Sequence, residues 1–245
     1  YDLIGVSQTP RKNQISWEMF FANSHDAEVW VHLAGIAHDV KGSISKQEYF
    51  RINADLAIKT YNHFLNSKKA KKFIFFSSIK SIASYSNTSL KEDDKHKINN
   101  YYGLSKRYAE EKMLENIVSN KKLVIIRPCM IYGNGNKGNL NLLYKFINKG
   151  FPYPFGKFDN QRSFLFINNL LFVLSEIIGT KDFPSGIFNV ANDENLSSND
   201  LVHLISTACN IPLKIYFISP VFIKFLFKIG DFLYFPYINI KNFNK

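Results

Sequence analysis

The sequence NNYYGLSKRYAE at residues 99–110 decides how the rest of the chain is interpreted. Read as the start of a helix, it places Tyr102 and Lys106 about one turn apart on the same face. An ammonium group beside a phenol favours the phenolate and so lowers the phenol pKa. The pair is therefore a candidate acid or base for moving a proton on and off an alcohol near neutral pH.

The Tyr-x-x-x-Lys spacing has little specificity by itself. The chain contains four such pairs, Tyr102/Lys106, Tyr108/Lys112, Tyr153/Lys157 and Tyr237/Lys241. The pairs that begin at 153 and 237 lie beside prolines, and the pair that begins at 108 is expected on a helix surface. Only the pair that begins at 102 encloses two small residues, Gly103 and Ser105, which would let a cofactor approach.

An apolar run that ends in hydroxyls, FFSS at residues 75–78, precedes this helix. Together, Ser78 and the segment YGLSKRYAE resemble the extended short-chain dehydrogenase/reductases that act on nucleotide sugars, the NAD-dependent epimerase/dehydratases similar to UDP-glucose 4-epimerase. The resemblance implies a catalytic set of Ser78, Tyr102 and Lys106. Ser77 is the nearest rival of Ser78 for the role of catalytic hydroxyl.

The composition indicates a globular protein without a nucleic-acid partner. The chain has 245 residues, of which 46% are hydrophobic and 16% aromatic, which argues against disorder. The net charge of +11 would suit nucleic acid, phosphate-bearing substrates or membrane surfaces. The lysines are scattered and no nucleic-acid motif accompanies them, so most of the charge is interpreted as solvated surface.

Cysteine usage and hydropathy predict a cytoplasmic protein without an integral membrane segment. Cys129 and Cys209 have neither metal-ligand spacing nor the numbers for a disulfide framework, and no signal peptide is visible. The most apolar stretch, residues 215–237, is interrupted by prolines and charged residues. It is predicted to be a helix packed on the core and not a membrane-spanning helix.

Apolar strands alternate with helical segments along the first part of the chain. Strands are predicted at residues 1–7, 27–35, 73–76 and 123–126, which indicates a right-handed parallel sheet. The expected fold class is α/β, a Rossmann-like parallel sheet with a small α/β substrate-binding lobe. The G-x-G-x-x-G spacing occurs only at residues 133–138, far from the first strand, and no glycine-rich turn follows that strand. The resemblance thus implies a chain that starts at the family's second strand, as a fragment or a defective gene product.

The resemblance also implies NAD or NADP as cofactor, held at strand ends and by Tyr102 and Lys106. The segment HLAG resembles the family's fourth-strand element and makes Ala34 and Gly35 candidates. The segment RPCMIYGNG adds Pro128 as a cofactor-binding candidate. Asn53, expected to open a helix, matches a family asparagine that ties this helix to the catalytic neighbourhood. An ordinary polar residue at a helix N-terminus is the alternative.

Two smaller features bear on the same region. No acidic residue ends the first strand, and Arg11 and Lys12 follow it, which leans toward NADP, although a basic loop is unsurprising on a basic protein. His32 is expected to be a structural histidine with satisfied nitrogens, and His38 a spectator.

The expected substrate is a nucleotide-diphosphate sugar. By the resemblance, Ser78, Asn139 and Arg162 would bind it, with Asn136 as an alternative to Asn139, since an arginine fork suits a diphosphate. Residues 1–135, with 160–192 contributing, are predicted to form the cofactor domain, and residues 136–159 and 193–245 the substrate lobe. Residues 84–100 are predicted to form a long active-site loop or lid. No metal ligands are expected, and a second copy of the chain is a candidate partner.

The function implied is C4 epimerisation of a nucleotide sugar by hydride transfer, in the synthesis of surface polysaccharide sugars. Ile79-Lys80 stands where dehydratases carry an Asp-Glu pair, so dehydration is set aside. The alternative within the family is a nucleotide 4-keto-6-deoxy-sugar 4-reductase. The alternative of another class is a catalytically inactive NAD(P)-binding remnant, which the missing glycine turn favours and the intact Ser78, Tyr102 and Lys106 disfavour.

Overall fold

The structure is a computed structural model that describes residues 2–37, 43–135, 139–157 and 160–219. The chain forms two compact units. The first comprises Tyr1–Cys129 and Ile167–Ala191, and the second Met130–Phe166 and Asn192–Lys245.

The helices and strands follow one another in the order β1 (Gly5–Ser7), β2 (Gln14–Ser16), α1 (Trp17–Ala22), β3 (Val29–His32), α2 (Lys46–Phe50), a π-helical turn (Arg51–Asp55), α3 (Leu56–Asn66), β4 (Lys72–Phe76), a 3-10 turn (Ile79–Ser81), α4 (Tyr101–Leu114), β5 (Lys122–Pro128), β6 (Met130–Tyr132), α5 (Asn139–Asn148), β7 (Arg162–Phe166), α6 (Ile167–Gly179), β8 (Gly186–Val190), β9 (Asn195–Leu196) and α7 (Ser198–Cys209).

The first unit is built on a parallel sheet with the strand order β3-β4-β5-β8, and β1 and β2 form a separate parallel pair. The predicted α/β class and parallel sheet are confirmed. Strand β4 is central, and Phe73, Ile74 and Phe75 are fully buried, as expected for a strand covered on both faces. The first strand is shorter than predicted, since it covers Gly5–Ser7 and Leu3 and Ile4 are exposed.

The helices cover this sheet through apolar faces. In α3, Tyr61 and Phe64 pack with Trp30 and Phe73 in the core, which also includes Met113 of α4. The predicted apolar stripe of the latter helix is only partly buried. Ala109 and Met113 are fully buried, whereas Leu114 is 36% and Ile117 50% exposed, because the helix ends at Leu114.

The second unit has a three-stranded sheet of the order β6-β7-β9, in which β6 pairs with β7 in parallel and β9 with β7 antiparallel. Helix α7 begins with a capping box between Ser197 and Asp200, one of the two starts predicted. Ile147, Tyr153 and Val202 form a small core.

The apolar segment predicted as a helix over residues 215–237 differs from expectation where the structure describes it. Ile215 and Phe217 form isolated β-bridges with Tyr153 and Phe155, so the prediction of a helix is wrong there. From residue 220 onward this segment lies outside the described residues, as does His38. Within the described ranges, the helices are all too short or too polar to cross a membrane.

Candidate active site

Ser78 lies directly after β4, at the carboxyl end of the central strand. Its hydroxyl caps the 3-10 turn by accepting a hydrogen bond from the Lys80 amide at 3.2 Å. The preceding residue, Ser77, continues the sheet through its amide, which donates to the Ile126 carbonyl at 2.8 Å. Ligands of open parallel sheets bind at the carboxyl ends of the strands, so Ser78 occupies a favourable position for chemistry.

Tyr102 lies in the first turn of α4, which Asn100 caps by accepting a hydrogen bond from the Gly103 amide at 2.7 Å. Burial raises the pKa of the Tyr102 phenol, and an interaction with the Ser78 hydroxyl opposes this effect. The structure thus brings the phenol and the hydroxyl together. The expectation that the Tyr102 pKa is lowered is not met in this structure, because burial has the larger effect.

Lys106 is almost completely buried, with 4% of its surface exposed. Its ammonium donates to the Phe76 carbonyl at 2.8 Å and lies 4.8 Å from the centre of the Phe75 ring. Burial lowers the Lys106 pKa to about 8, with the Glu110 carboxylate acting in the opposite direction. The ammonium therefore sits at the end of β4, one turn of α4 beyond Tyr102.

The small residues of the YGLSK segment lie in close contact with the surrounding protein. A Cβ atom on Gly103 would lie 2.2 Å from the Lys80 carbonyl oxygen, so this glycine lets α4 pack against the backbone of the 3-10 turn. Ser105 is fully buried and its hydroxyl donates to the Tyr102 carbonyl at 2.8 Å. Both residues make contacts within the protein, and the approach of a cofactor beside them stays a prediction.

Asn53 connects the loop after β3 to α4. Its Oδ1 accepts from the Ile36 amide at 2.6 Å, and its Nδ2 donates to the Ile36 carbonyl at 3.0 Å and to the Ser105 hydroxyl at 3.2 Å. It does not open a helix, since it lies in the π-helical turn between α2 and α3. Such turns occur frequently at functional sites.

The other cofactor candidates lie at neighbouring strand ends. Ala34 and Gly35 follow β3, and Pro128 is the last residue of β5, where it pairs with Val190. A Cβ atom on Gly35 would lie 3.0 Å from Asn53 Oδ1 and 3.3 Å from Lys106 Nζ. The lack of a side chain at Gly35 thus keeps the space beside the ammonium free.

His32, at the end of β3, is buried. The prediction that its ring nitrogens are hydrogen-bonded is wrong for the described residues. Neither ring nitrogen has a hydrogen-bond partner within the described part of the chain. Burial lowers the His32 pKa to about 3, the Lys106 ammonium adds to this effect, and the Ala34 backbone opposes it. The imidazole is therefore neutral over the physiological pH range.

Sequence reasoning gave no role to a buried ion pair behind Ser78. Arg127 Nη2 lies 2.6 Å from Glu110 Oε2, with both side chains at most 7% exposed. The Ser77 and Ser81 hydroxyls donate to the same carboxylate. A signal was present in the sequence, because an arginine directly after the apolar run of residues 123–126 needs a partner if it is buried.

Residues 84–100 form turns and irregular segments, and hydrogen bonds connect them to the sheet. Arg127 Nη1 donates to the Glu92 carbonyl at 2.7 Å, and the Asn189 amide donates to the Glu92 carboxylate at 2.9 Å. Arg107 donates to the His96 carbonyl at 3.1 Å. These contacts attach the segment to β5, β8 and α4, and its role as an active-site loop or lid stays a prediction.

The remaining predicted residues lie elsewhere. Asn139 begins α5 and Arg162 begins β7, both in the second unit, and Arg162 is exposed. Asn136 lies outside the described residues. Arg11 follows β1 in an exposed loop. The structure therefore brings together Ser78, Tyr102, Lys106, Asn53 and Gly35 within the first unit.

The chain is similar to known proteins. The model of the NAD dependent epimerase/dehydratase family matches residues 7–191. UDP-glucose 4-epimerase of Vibrio cholerae is 32% identical over 190 residues, which are 75% of this chain and 58% of that protein. N-acetyl-alpha-D-glucosaminyl-diphospho-ditrans,octacis-undecaprenol 4-epimerase of Escherichia coli O157:H7 is 27% identical over 146 residues, 58% of this chain and 44% of that protein.

Solved structures share the fold. MoeE5 in complex with UDP-glucose and NAD superimposes with a TM-score of 0.72 and 17% identity over 86% of this chain and 76% of that chain. The chain thus spans about half the length of the two curated relatives it matches and most of this structural neighbour.

Proposed function

Because the chain belongs to the NAD-dependent epimerase/dehydratase family, we propose that it is an NAD(P)-dependent C4 epimerase of nucleotide sugars. The observation that carries this proposal is the grouping of Ser78, Tyr102 and Lys106 at the carboxyl ends of parallel strands, beside a glycine that leaves space next to the ammonium. Each of the three provides a group that hydride transfer at an alcohol requires.

In this proposal, Tyr102 exchanges a proton with the sugar hydroxyl and Ser78 hydrogen-bonds the oxygen as it becomes a ketone. Bound NAD(P) would accept the hydride from carbon and return it. The raised pKa of Tyr102 suits proton donation to the ketone. Proton removal from the hydroxyl requires a lower pKa, and Lys106 is the nearby cation that could supply it.

The described residues fit a dinucleotide at this point. The Lys106 ammonium has three N–H groups, of which one donates to Phe76 in the described structure, so others remain for ribose hydroxyls. Ala34, Gly35 and Pro128 would border the cofactor, and Asn53 would hold the loop that carries the first two. No glycine-rich turn for the pyrophosphate follows the first strand, so cofactor affinity is the property that most needs measurement.

The names of the two relatives support a sugar linked to a diphosphate as substrate. Both names specify a 4-epimerase, one of UDP-glucose and the other of a glucosaminyl group on undecaprenyl diphosphate. We assign cofactor binding to the first unit and sugar-diphosphate binding to the second, through Asn139 and Arg162. Arginine at position 162 offers a bidentate donor for the diphosphate. A role in surface polysaccharide synthesis, a cytoplasmic location and a homodimer belong to the same proposal.

The test is calorimetric titration of the purified chain with NAD and NADP, followed by incubation with UDP-galactose and analysis for UDP-glucose. Micromolar binding and conversion of the sugar are expected. Tyr102→Phe should abolish conversion while cofactor binding persists, and Tyr101→Phe, an exposed neighbour on the same helix, is the matched control. Failure to bind either cofactor at millimolar concentration would contradict the proposal and favour an inactive remnant.

The 4-reductase remains the second candidate, because the exposed Arg11 after β1 would suit the 2′-phosphate of NADPH. Preference for NADPH, together with net oxidation of NADPH by a nucleotide 4-keto-6-deoxy sugar, would select this reading. Bound NAD that is regenerated in each turnover would select the epimerase.

A further inference from the structure

The three serines of the segment SSIKS, at residues 77, 78 and 81, have different partners. Ser77 and Ser81 both donate to Oε1 of Glu110, the latter at 2.8 Å. Ser78, between them, has other partners: its hydroxyl accepts from the Lys80 amide at 3.2 Å and interacts with the Tyr102 phenol. The outer serines therefore connect the turn to Glu110, and the Ser78 hydroxyl faces Tyr102.

We propose that Glu110 is a positioning residue that holds Ser78 against Tyr102 by fixing the serines on either side of it. The catalytic role of Ser78 and Tyr102 rests on the function proposed above. The positioning itself does not, because it concerns contacts within the protein that can be measured without substrate.

The Glu110 carboxylate is rigid because both of its oxygens are held. Arg127 Nε donates to Oε1 at 3.0 Å and Nη2 donates to Oε2 at 2.6 Å, a bidentate pair. Glu110 is 1% and Arg127 6% exposed, so water does not compete for these bonds. Arg127 belongs to β5, the strand beside β4, and so the carboxylate is oriented from the sheet.

Helix α4 contacts the 3-10 turn at two further positions, on the helix face that carries Glu110. Gly103 lies against the Lys80 carbonyl, and Arg107 Nε donates to the Ser81 carbonyl at 2.6 Å. Residues 103, 107 and 110 lie on one face of the helix, and Tyr102 adjoins the first of them. The distance from Ser78 to Tyr102 is thus determined by the packing of α4 against the 3-10 turn.

The Arg127 guanidinium neutralises the Glu110 carboxylate without help from the serines. The two serine hydroxyls that flank Ser78 extend the pair to the turn, at a place where the backbone has just left β4. Tyr49 also lies beside Tyr102, with the two ring centres 6.5 Å apart, and the Lys106 ammonium donates to the Phe76 carbonyl. The inference therefore predicts an effect on Tyr102 that is transmitted through Ser78.

The test labels the chain with 3-fluorotyrosine and follows the Tyr102 phenol by 19F NMR, assigned with Tyr102→Phe. Ser78→Ala removes the hydroxyl beside the phenol and should raise the titration midpoint by roughly 0.5–1 pH unit. The double variant Ser77→Ala with Ser81→Ala keeps Ser78 and the ion pair and should raise it in the same direction. Ser206→Ala, a buried serine of the second unit, should leave it unchanged.

An unchanged Tyr102 midpoint in the double variant, with Ser78→Ala shifted, would overturn the proposal. No shift in Ser78→Ala would overturn it as well, since Ser78 would then not act on Tyr102. With an active wild-type chain, the double variant should lower kcat roughly 10-fold or more without changing cofactor affinity. Placing Thr instead of Ala at position 81 of the double variant should restore kcat. An inactive wild-type chain would contradict the proposed function and leave the NMR result to decide the positioning.

Discussion

The two units of the chain build their described cores on different sheets. The first unit contains a core in which Phe64, Phe73 and Phe75 are completely buried between helices and a parallel sheet. In the second unit, Phe164 and Leu165 of β7 are buried, and Ile147, Tyr153 and Val202 form a cluster of their own. Large apolar side chains are exposed in both units, among them Phe172 in the first and Leu204 in the second.

The candidate residues of the proposed function divide between the two units. Ser78, Tyr102 and Lys106 stand on the first unit, beside the parallel sheet. Asn139 and Arg162, the proposed ligands of the diphosphate, belong to the second unit.

Core truncation should give the largest contrast between the units. Phe73→Ala is expected to cost about 4 kcal/mol and Ile147→Ala about 2 kcal/mol of unfolding free energy, because truncation of the phenylalanine removes more buried atoms and leaves the larger cavity. Hydrogen exchange should show faster opening throughout the first unit for Phe73→Ala, and only in the second unit for Ile147→Ala. Equal losses at both positions would remove the contrast.

Loss of a polar interaction should also cost more unfolding free energy in the first unit than in the second. Glu110→Ala leaves the buried Arg127 without its counter-charge and should cost about 3 kcal/mol. Ser197→Ala, which breaks the exposed capping box of α7, should cost about 1 kcal/mol. Urea unfolding measures both changes. Substantial recovery of stability in the double variant Glu110→Ala with Arg127→Met would show that the unpaired charge, and not lost packing, is responsible.

Substitution of one glycine in each unit tests how well the surrounding atoms can move to accept a methyl group. A Cβ atom on Gly103 meets the Lys80 carbonyl, which is backbone, whereas one on Gly156 meets Ile215 Cγ2 at 2.5 Å, which is the end of a side chain. Gly103→Ala should cost about 2 kcal/mol, and Gly156→Ala should cost less than about 1 kcal/mol because the Ile215 side chain can rotate. Thermal unfolding compares the two, and the reverse order would contradict the comparison.

The charge state of His32 gives an effect on stability that depends on pH. Its pKa is about 3 in the folded chain and 6.5 unfolded, so between these values the unfolded state binds the extra proton. Stability should therefore fall as the pH decreases from 6.5 toward 3, by up to about 1.4 kcal/mol per pH unit from this residue. His32→Leu should fall less steeply in urea unfolding over that range. Parallel curves for both proteins would show that His32 does not titrate as described.

The sequence was sufficient for features that depend on local pattern. The apolar run at residues 73–76 predicted the strand that is observed as β4, and the segment at residues 99–110 predicted the start of α4. These elements are encoded by periodicity and capping, which neighbouring residues determine.

Features that depend on long-range packing were missed or misinterpreted. Gly103 was assigned to cofactor access, and its contact with Lys80, 23 positions earlier in the chain, was not predicted. Asn53 was placed at a helix start because the π-helical turn has no local signature. The Tyr102 pKa was expected to follow Lys106, but burial, which a sequence does not display, has the larger effect.

The interleaving of the two units has a consequence for biosynthesis. Strand β5 ends at Pro128, and its partner β8 begins only at Gly186, after β6, α5, β7 and α6. On a ribosome that adds 5–20 residues per second, about 60 residues of synthesis leave the edge of β5 unpaired for about 3–12 s. During this interval an apolar strand with free amides and carbonyls is available to other chains. Chaperone binding to the nascent chain should therefore peak between the emergence of β5 and that of β8.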